Sequence, residues 1–332
     1  MNKIIFIIIL IILFSSCSKE GITISNKQIQ KADNYLYIEY YKKAREHFLK
    51  FNLNDVIKSI SYFEKSLELK PDYLLSIAGY SEALSYFAFQ KQRNGIISEE
   101  LFNKAKQQAL KAISLDSNSL EANRSLSWYY FALGLYSKAK IFAEKSLKIN
   151  KEDPESSFIL WASIESENLD SIYLKKAIDA KYILALINAG SLARRQKKYD
   201  LALAYFEEVI KIVPDHAHAY VNIGNVYLYK NDPQKALEYY NKAKSFYQND
   251  SYIYFNNAAA FVLLKDYKKA EEYYKKAISI NNSFSEAHIM LMKLYKNPLK
   301  NISLYNYHKE QVEKIKKNKQ EYLIKLLKDE SN

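Results

Sequence analysis

The side chains that most often perform chemistry in proteins are few in this sequence. The 332-residue chain has one cysteine, Cys17, and five histidines. His216 and His218 stand two residues apart, and on a helix that spacing places them on different faces, which disfavours a shared metal ion. Acid pairs such as Glu207-Glu208 would need a shaped pocket to act as acid–base catalysts. We therefore predict no catalytic residue, no metal site, no cofactor and no small-molecule substrate.

The residues before the single cysteine indicate a role for it. Met1-Asn2-Lys3 is short and positively charged, and residues 4–14 are an unbroken apolar run. A membrane-spanning helix needs roughly 20 apolar residues, so this shorter run is typical of a secretory signal peptide. Ser15-Ser16 directly precede Cys17, and a small pair before a lone cysteine resembles the processing site of bacterial lipoproteins. The resemblance implies cleavage before Cys17 and a lipid on its thiol; an ordinary signal peptide with an incidental cysteine is the alternative.

From residue 40 onward the chain is periodic. Segments 183–216, 217–250 and 251–284 align at 34 residues without a gap. Places eight and twenty are small and place twenty-four is aromatic in all three; these residues are Gly190, Gly224, Ala258, Ala202, Ala236, Ala270, Phe206, Tyr240 and Tyr274. The repeated places follow each other at spacings of three or four, which puts them on one stripe of a helix. Each segment is therefore predicted to be two helices that approach closely at the small residues.

This pattern resembles the tetratricopeptide repeat, including its Gly-x-x-Tyr arrangement at Gly224 and Tyr227. The segments that extend it towards the N-terminus are 40–73, 74–119, 120–153 and 154–182. The second of these has 46 residues instead of 34, and the fourth is short by about five. The resemblance implies an all-α fold, a right-handed superhelical solenoid of tetratricopeptide helical hairpins with a C-terminal capping helix.

These patterns divide the chain into four predicted parts. We predict a signal peptide over 1–16, and over 17–34 the lipidated cysteine with a flexible tether whose reach is on the order of 20 Å. The solenoid of about seven and a half repeats is predicted over 35–296. Residues 297–332 are predicted to be a capping helix and tail, because repeat solenoids end in elements with a polar outer face.

The resemblance also implies a concave groove, lined by places two, five, nine and twelve of each first helix. Most of these places are apolar or aromatic here. With one neighbouring asparagine, the predicted partner-binding groove consists of Phe48, Trp128, Phe131, Ile187, Arg194, Val221, Asn225, Leu228, Tyr252, Phe255, Asn256 and Val262. We expect Trp128, Phe131, Tyr252 and Phe255 to be accessible, because exposed apolar surface of this extent usually marks a binding site. Packing of neighbouring first helices, or a terminal segment of the chain, would fill the groove instead.

Two asparagines in the groove match a clamp that some members of this family use to hold acidic peptide tails. They are Asn225 and Asn256, but the lysine place of that clamp is Val221 and the other basic places are Glu286 and Met290. We therefore expect the asparagines to hold a peptide backbone, with side chains in apolar pockets, and not an acidic tail.

The function predicted from the sequence is a protein–protein interaction scaffold or adaptor of the bacterial cell envelope. A lipid would anchor it to a membrane, on the periplasmic face or the cell surface, and a protein or peptide would bind in the groove. Nucleic acid is not an expected partner of an exported, lipidated protein. The alternative is an anionic polymer or membrane head groups at the basic C-terminal helix, since the chain carries a net charge of +12 and residues 293–332 a net charge of +5.

Overall fold

The computed structural model describes residues 26–96 and 98–329, and the side chains within 35–322. Within these residues there are helices and no strands, and consecutive helices pair into eight hairpins. The helices are α1 (Asn26–Phe48), α2 (Leu53–Leu69), α3 (Leu74–Arg93), α4 (Glu99–Leu115), α5 (Leu120–Ala132), α6 (Tyr136–Ile149), α7 (Pro154–Ile164), α8 (Ile172–Asp179), α9 (Ile183–Arg195), α10 (Tyr199–Ile212), α11 (Ala217–Tyr229), α12 (Pro233–Phe246), α13 (Ser251–Leu263), α14 (Tyr267–Ile280), α15 (Ser285–Lys296) and α16 (Ile302–Asp329). Hairpin one is α1 with α2, and the numbering continues to hairpin eight, α15 with α16. The hairpins stack in chain order as the predicted solenoid.

The interior of each hairpin is built on the small residues of the repeat. Ala202, Ala236 and Ala270, at place twenty, are fully buried. A Cβ atom built on Gly224 would lie 2.7 Å from Cδ1 of Tyr240 and 3.1 Å from the carbonyl oxygen of Ala236. The residue at place eight of the first helix therefore lies close to the residues at places twenty and twenty-four of the second helix. This confirms the predicted close contact between the paired helices.

The same turn joins the two helices in hairpins three, five, six and seven. One residue of each turn has a positive φ angle: Gly134 (77°), Lys197 (60°), Asn231 (62°) and Lys265 (60°). The next N–H donates back into the first helix, as from Leu135 N to the carbonyl oxygen of Tyr130 at 2.9 Å. This Schellman arrangement satisfies helix-end carbonyl groups and favours glycine at the positive-φ residue. Lysine occupies that place in two of the four turns.

The irregular segments of the repeat change the lengths of the helices. In hairpin two, α3 has 20 residues and α4 has 17, compared with 13 and 14 for α5 and α6. In hairpin four, α7 has 11 residues and α8 only eight. The added and missing residues are thus absorbed inside these two hairpins, and the stacking order is kept.

The superhelix curls tightly enough for distant hairpins to touch. The ring of Phe51, in the turn of hairpin one, lies 5.2 Å from the ring of Tyr182 at the start of α9. The hydroxyl of Tyr252 on α13 donates to the carbonyl oxygen of Arg93, at the end of the lengthened α3, at 3.3 Å. Hairpins one and two therefore contact hairpins five and seven across the concave side.

The N-terminal part of the chain differs from the expectation. α1 begins at Asn26, so the tether predicted over 17–34 is helical from that residue onward. Residues 26–34 contain no glycine or proline and include good helix formers, which explains why the prediction of a flexible segment is wrong there. The predicted signal peptide and the predicted lipid attachment site, Cys17, lie outside the described residues. Across the described ranges, every helix is too short or too polar to cross a bilayer.

Candidate functional site

Aromatic rings close the concave face of hairpins one to four, which we call the closed half (α1–α8). Their centroids lie about 5–6 Å from neighbouring rings, a spacing typical of favourable aromatic pairs. The cluster consists of Phe48, Phe51, Tyr86, Trp128, Phe131, Phe158 and Tyr182. Phe48, Phe51 and Trp128 are at most 1% exposed. This part of the concave face is therefore a hydrophobic core and not a groove.

A buried ionic network holds the same four hairpins together. Arg124 on α5 donates to Glu82 on α3 at 2.8 Å and to Asp153, the N-cap of α7, at 2.9 Å. Arg45 on α1 donates to Glu82 at 2.6 Å and also pairs with Glu155 on α7. Burial raises the pKa of Glu155 above its usual range, although Arg124 and Arg45 beside it oppose that rise. Buried charges are tolerated only when paired, so the network fixes α1, α3, α5 and α7 relative to one another.

Three predicted groove residues are buried, and the expectation for Trp128 is wrong. Phe48 and Trp128 lie in the aromatic cluster, and Val221 is 5% exposed in the packing of hairpin six. For Phe48 and Trp128 the cause is the tight curl of the superhelix, because large side chains on facing first helices meet across the concave side. Val221 is covered by its own hairpin and the next one. Trp128 is therefore inaccessible in the free protein, and a partner could reach it only if the closed half opened.

Hairpins five to eight, the open half (α9–α16), keep an accessible concave face. The predicted groove residues that retain partial exposure are Phe131 at the edge of the closed half and, within the open half, Ile187, Arg194, Asn225, Leu228, Tyr252, Phe255, Asn256 and Val262. Tyr229 and Leu263 are more exposed than these, at 63% and 46%. Sequence reasoning missed both, although each directly follows a predicted groove residue at the end of a first helix.

Polar groups in the open half have defined partners. The guanidinium of Arg194 lies 4.8 Å from the ring centre of Tyr229, and its Nε is buried without a hydrogen-bond partner among the described residues. Asn225 accepts a hydrogen bond from the hydroxyl of Tyr240 at 2.7 Å. Asn256 donates to the carbonyl oxygen of Tyr252 at 2.8 Å, within its own helix. Asn225 thus keeps an amide donor and Asn256 a carbonyl acceptor for a peptide backbone.

The histidines singled out by their spacing have structural roles. His216 caps α11, since its Nδ1 accepts a hydrogen bond from the N–H of Ala219 at 3.2 Å. Burial, with His218 nearby, lowers the pKa of His216 to about 3. His218 pairs with Asp250 at 2.7 Å, on the next first helix. In the part of the chain that the structure describes, no group of three or more His, Cys, Asp or Glu side chains could hold a metal ion.

The basic C-terminal helix packs against the last first helix of the solenoid. His308 and Val312 on α16 are buried, and Nδ1 of His308 lies 2.8 Å from Nδ1 of His288 on α15. The outer surface of α16 carries exposed lysines, namely Lys309, Lys314, Lys316, Lys317 and Lys319. Glu310 and Glu313 lie among these lysines and reduce the net positive charge of this surface.

Family models of the tetratricopeptide repeat match much of the chain. One matches residues 182–249, and a second matches 48–73, 121–153 and 251–284. No curated protein sequence matches the chain significantly. The matched residues cover hairpins three, five, six and seven and the second helix of hairpin one.

Solved structures show the same fold at low identity. The APC/C hetero-tetramer Cut9–Hcn1 is similar with a TM-score of 0.66 and 16% identity, over 88% of this chain and 57% of that one. The human IFIT1 dimer with PPP-AAAA is similar with a TM-score of 0.61 and 14% identity, over 87% of this chain and 72% of that one. The chain therefore spans little more than half the length of the first of these structures. The protein is therefore an all-α superhelical solenoid of helical hairpins, and the segments that the family models match are tetratricopeptide repeats.

Proposed function

We propose that this protein is a non-catalytic scaffold that binds an extended segment of a partner protein on the concave face of its open half. The observation that carries the proposal is the contrast between the two halves. On its concave face the closed half buries aromatic and charged groups against each other, whereas the concave face of the open half exposes large apolar side chains beside polar groups that can still bind. Tyr and Arg dominate many binding hot spots, and Tyr229 with Arg194 forms such a pair here.

The arrangement of side chains suits a peptide backbone with apolar side chains. Leu228, Tyr229, Val262 and Leu263 lie at the ends of α11 and α13, and offer apolar contact area. The unused donor of Asn225 and the unused acceptor of Asn256 can bond to a peptide N–H and carbonyl. Because the backbone of an extended segment offers both kinds of group, we expect recognition to combine backbone bonding with apolar burial.

We further propose that a lipid on Cys17 anchors the scaffold to a membrane of the bacterial cell envelope. Eight residues separate Cys17 from Asn26, where α1 begins. A chain of that length spans at most about 30 Å, so hairpin one would stay close to the membrane. An exported position also argues against nucleic acid as the partner, because nucleic acid is found inside the cell.

Photo-crosslinking in cells tests the site. A photo-crosslinking amino acid at the position of Tyr229 should capture a specific protein, and the same residue at the position of Ile141, which is 50% exposed on α6, should not. With the photo-crosslinking residue at Val262 instead, Tyr229→Ser should weaken capture and leave helicity unchanged, and with it at Tyr229, Leu263→Ser should do the same. Phe131 and Phe255 are poorer targets, because both pack against other rings.

The alternative surface gives a different outcome. If capture survives the changes at Tyr229 and Leu263 but is lost when Lys314, Lys316 and Lys317 become Gln, the basic surface of α16 is the working site. Binding to an anionic polymer or head group would then fall steeply with salt, whereas apolar binding would change little.

The anchor has its own test. Cys17→Ala should abolish labelling by a fatty-acid probe and leave the protein unprocessed or soluble. Labelling that persists in Cys17→Ala would overturn the anchor and leave the binding proposal untouched.

A further inference from the structure

The short fourth hairpin creates a step in the concave face. α5 and α9 have 13 residues each, whereas α7 between them has 11. At 1.5 Å per residue, α7 ends about 3 Å before its neighbours. A pocket of about 320 Å³ opens at this step. The anomaly in repeat length, which is visible in the sequence, thus has a structural consequence at the border between the closed and open halves.

Aromatic side chains from two hairpins form the walls of the pocket. Phe131 and Tyr136 come from hairpin three, and Trp161 comes from α7. The indole N–H of Trp161 donates to the carbonyl oxygen of Asn168 at 2.9 Å, which fixes the ring. Tyr136 is 49% exposed and Phe131 is partly exposed, whereas only a small part of Trp161, 2% exposed, reaches the pocket. A large apolar side chain inserted here would therefore meet preformed aromatic surface, which lowers the entropy cost of binding.

The polar groups that line the pocket are basic or uncharged. One acid, Glu167, pairs with the basic group and can be replaced by another carboxylate. Nη2 of Arg195 lies 2.9 Å from Glu167, but the two side chains are 50% and 76% exposed. An exposed ion pair contributes about 0–1 kcal/mol, so another carboxylate can replace Glu167. Oγ of Ser163, in the pocket lining, is buried without a hydrogen-bond partner among the described residues.

The end of α9 adds further positive charge. Arg194 and Arg195 end the helix, and Lys197 and Lys198 follow them, all within five residues. Glu167 pairs with Arg195 and Asp200 follows Lys198 closely, but Arg195 is the one charged side chain in the described lining of the pocket. Charge complementarity therefore favours an occupant that carries a negative charge.

We propose that this pocket binds a large apolar side chain of the partner segment, with an adjacent Asp or Glu whose carboxylate pairs with Arg195. The inference rests on the proposed function, because it specifies part of the segment that the open half would hold. Ligand pockets occupy about 300–1,000 Å³, so the volume is small and suits an aromatic residue with part of its neighbour. The site differs from the asparagine pair of the groove, since it involves α5, α7 and α9.

Fluorine NMR on the full chain tests the pocket directly. The protein has two tryptophans, and 5-fluorotryptophan labels both; Trp161 lines the pocket and Trp128 does not. A Trp161→Phe variant assigns the signals. The probe is the blocked dipeptide N-acetyl-Phe-Glu amide, at millimolar concentration. It should shift the Trp161 signal in a saturable manner and move the Trp128 signal less.

Matched probes and variants separate the two parts of the proposal. N-acetyl-Phe-Gln amide should bind about twofold to fivefold more weakly, the loss of an exposed ion pair, and N-acetyl-Ala-Glu amide should bind more weakly still. Arg195→Gln should remove the preference for Glu over Gln. Ser166→Phe, at an exposed residue of the pocket lining, should fill the pocket and abolish the shift without changing helicity.

The outcomes distinguish this inference from the proposed function. A Trp161 signal that does not respond to N-acetyl-Phe-Glu amide, or a response that survives Ser166→Phe, overturns the pocket. If partner capture at Tyr229 then continues, the proposed function stands without the pocket. If the dipeptide binds as expected but nothing is captured at Tyr229, the pocket stands and the extended site on the open half fails.

Discussion

The closed and open halves use the same repeat, but they put different residues at one place of it. Place nine of the first helix is Phe48 in hairpin one and Trp128 in hairpin three, and both are buried. In hairpins five, six and seven the same place is Ser191, Asn225 and Ala259. Large rings on a tightly curled solenoid meet across the concave side, whereas small residues leave it accessible. The rings at place nine of hairpins one and three thus help to close the concave face of the closed half, where hairpins two and four carry Glu82 and Ala162 at the same place.

The ionic network makes the contrast sharper. In the closed half, first helices are joined by buried charges over long separations in sequence, such as Arg45 on α1 and Glu155 on α7. In the open half, first helices are joined mainly by neighbour-to-neighbour packing and by single polar contacts, such as His218 with Asp250. We therefore expect the closed half to be the rigid base and the open half to respond more to solution conditions and to a partner.

The largest effect is expected from breaking the network. Arg124→Met should destabilise the protein by about 3–5 kcal/mol, because it leaves Asp153 buried without its arginine and leaves Arg45 to neutralise both Glu82 and Glu155. Chemical denaturation followed by circular dichroism measures this loss. The matched control is Lys104→Met, which removes an exposed pair with Glu64 and should cost at most about 1 kcal/mol. Similar losses for both changes would mean that the closed half is not held by its buried charges.

The sequence predicts the fold better than it predicts the site. The small residues at Gly224 and Ala236 reveal the helix pairing, because that contact lies inside one hairpin and depends on local spacing. The state of Trp128 could not be derived in the same way. Its burial depends on Phe51 and on the curl that brings hairpin one to hairpin five, and the curl accumulates from small rotations that no single repeat encodes. The sequence contains one indication of the pocket at Trp161, which is the short segment 154–182. The pocket could not be derived from that segment alone, because it forms between α7 and the helices packed beside it.

A pH dependence is expected next, and it should originate in the open half. Burial lowers the pKa of His216 to about 3, and burial with His288 and Lys275 nearby lowers the pKa of His308 to about 4, although Glu271 opposes this. Both groups are thus neutral in the folded state, whereas an unfolded histidine titrates near 6.5. Below pH 6.5 the unfolded state binds more protons than the folded state, so stability falls as the pH falls towards 4.

The expected loss is about 3–4 kcal/mol between pH 7 and pH 5, because over this range each of the two histidines takes up a proton in the unfolded state and not in the folded state, at about 2 kcal/mol each. Melting temperatures measured across this range test it. His308→Gln removes one of the titrating groups and should flatten the profile. A profile that is already flat in the unchanged protein would mean that these histidines are protonated in the folded state.

The interiors of the hairpins, in contrast, should not distinguish the halves. Ala139 in the closed half and Ala236 in the open half are both fully buried at place twenty. Ala139→Leu and Ala236→Leu should each cost about 1–3 kcal/mol through overpacking, as measured by denaturation. Lys269→Leu, on an exposed surface, is the control and should change stability by less than about 0.5 kcal/mol. A large loss for only one of the two alanines would show that the halves differ in more than their concave faces.

The smallest effect concerns the turn that both halves share. Gly134 in hairpin three and Lys197 in hairpin five have nearly the same positive φ angle, but only glycine adopts it without strain. For a residue with a Cβ, that conformation reduces the free energy of unfolding by about 1–2 kcal/mol. Glycine avoids this cost, but it lowers the free energy of unfolding by about 0.4–1 kcal/mol because the unfolded chain has more conformational freedom. Lys197→Gly should therefore stabilise the open half by about 0.5–1 kcal/mol. Gly134→Ala should destabilise the closed half by a similar amount, although an added Cβ would meet no atom within 4 Å.

Opposite signs in thermal denaturation would attribute both effects to the backbone. A loss of stability in Lys197→Gly would instead show that the lysine side chain contributes more than its φ angle costs.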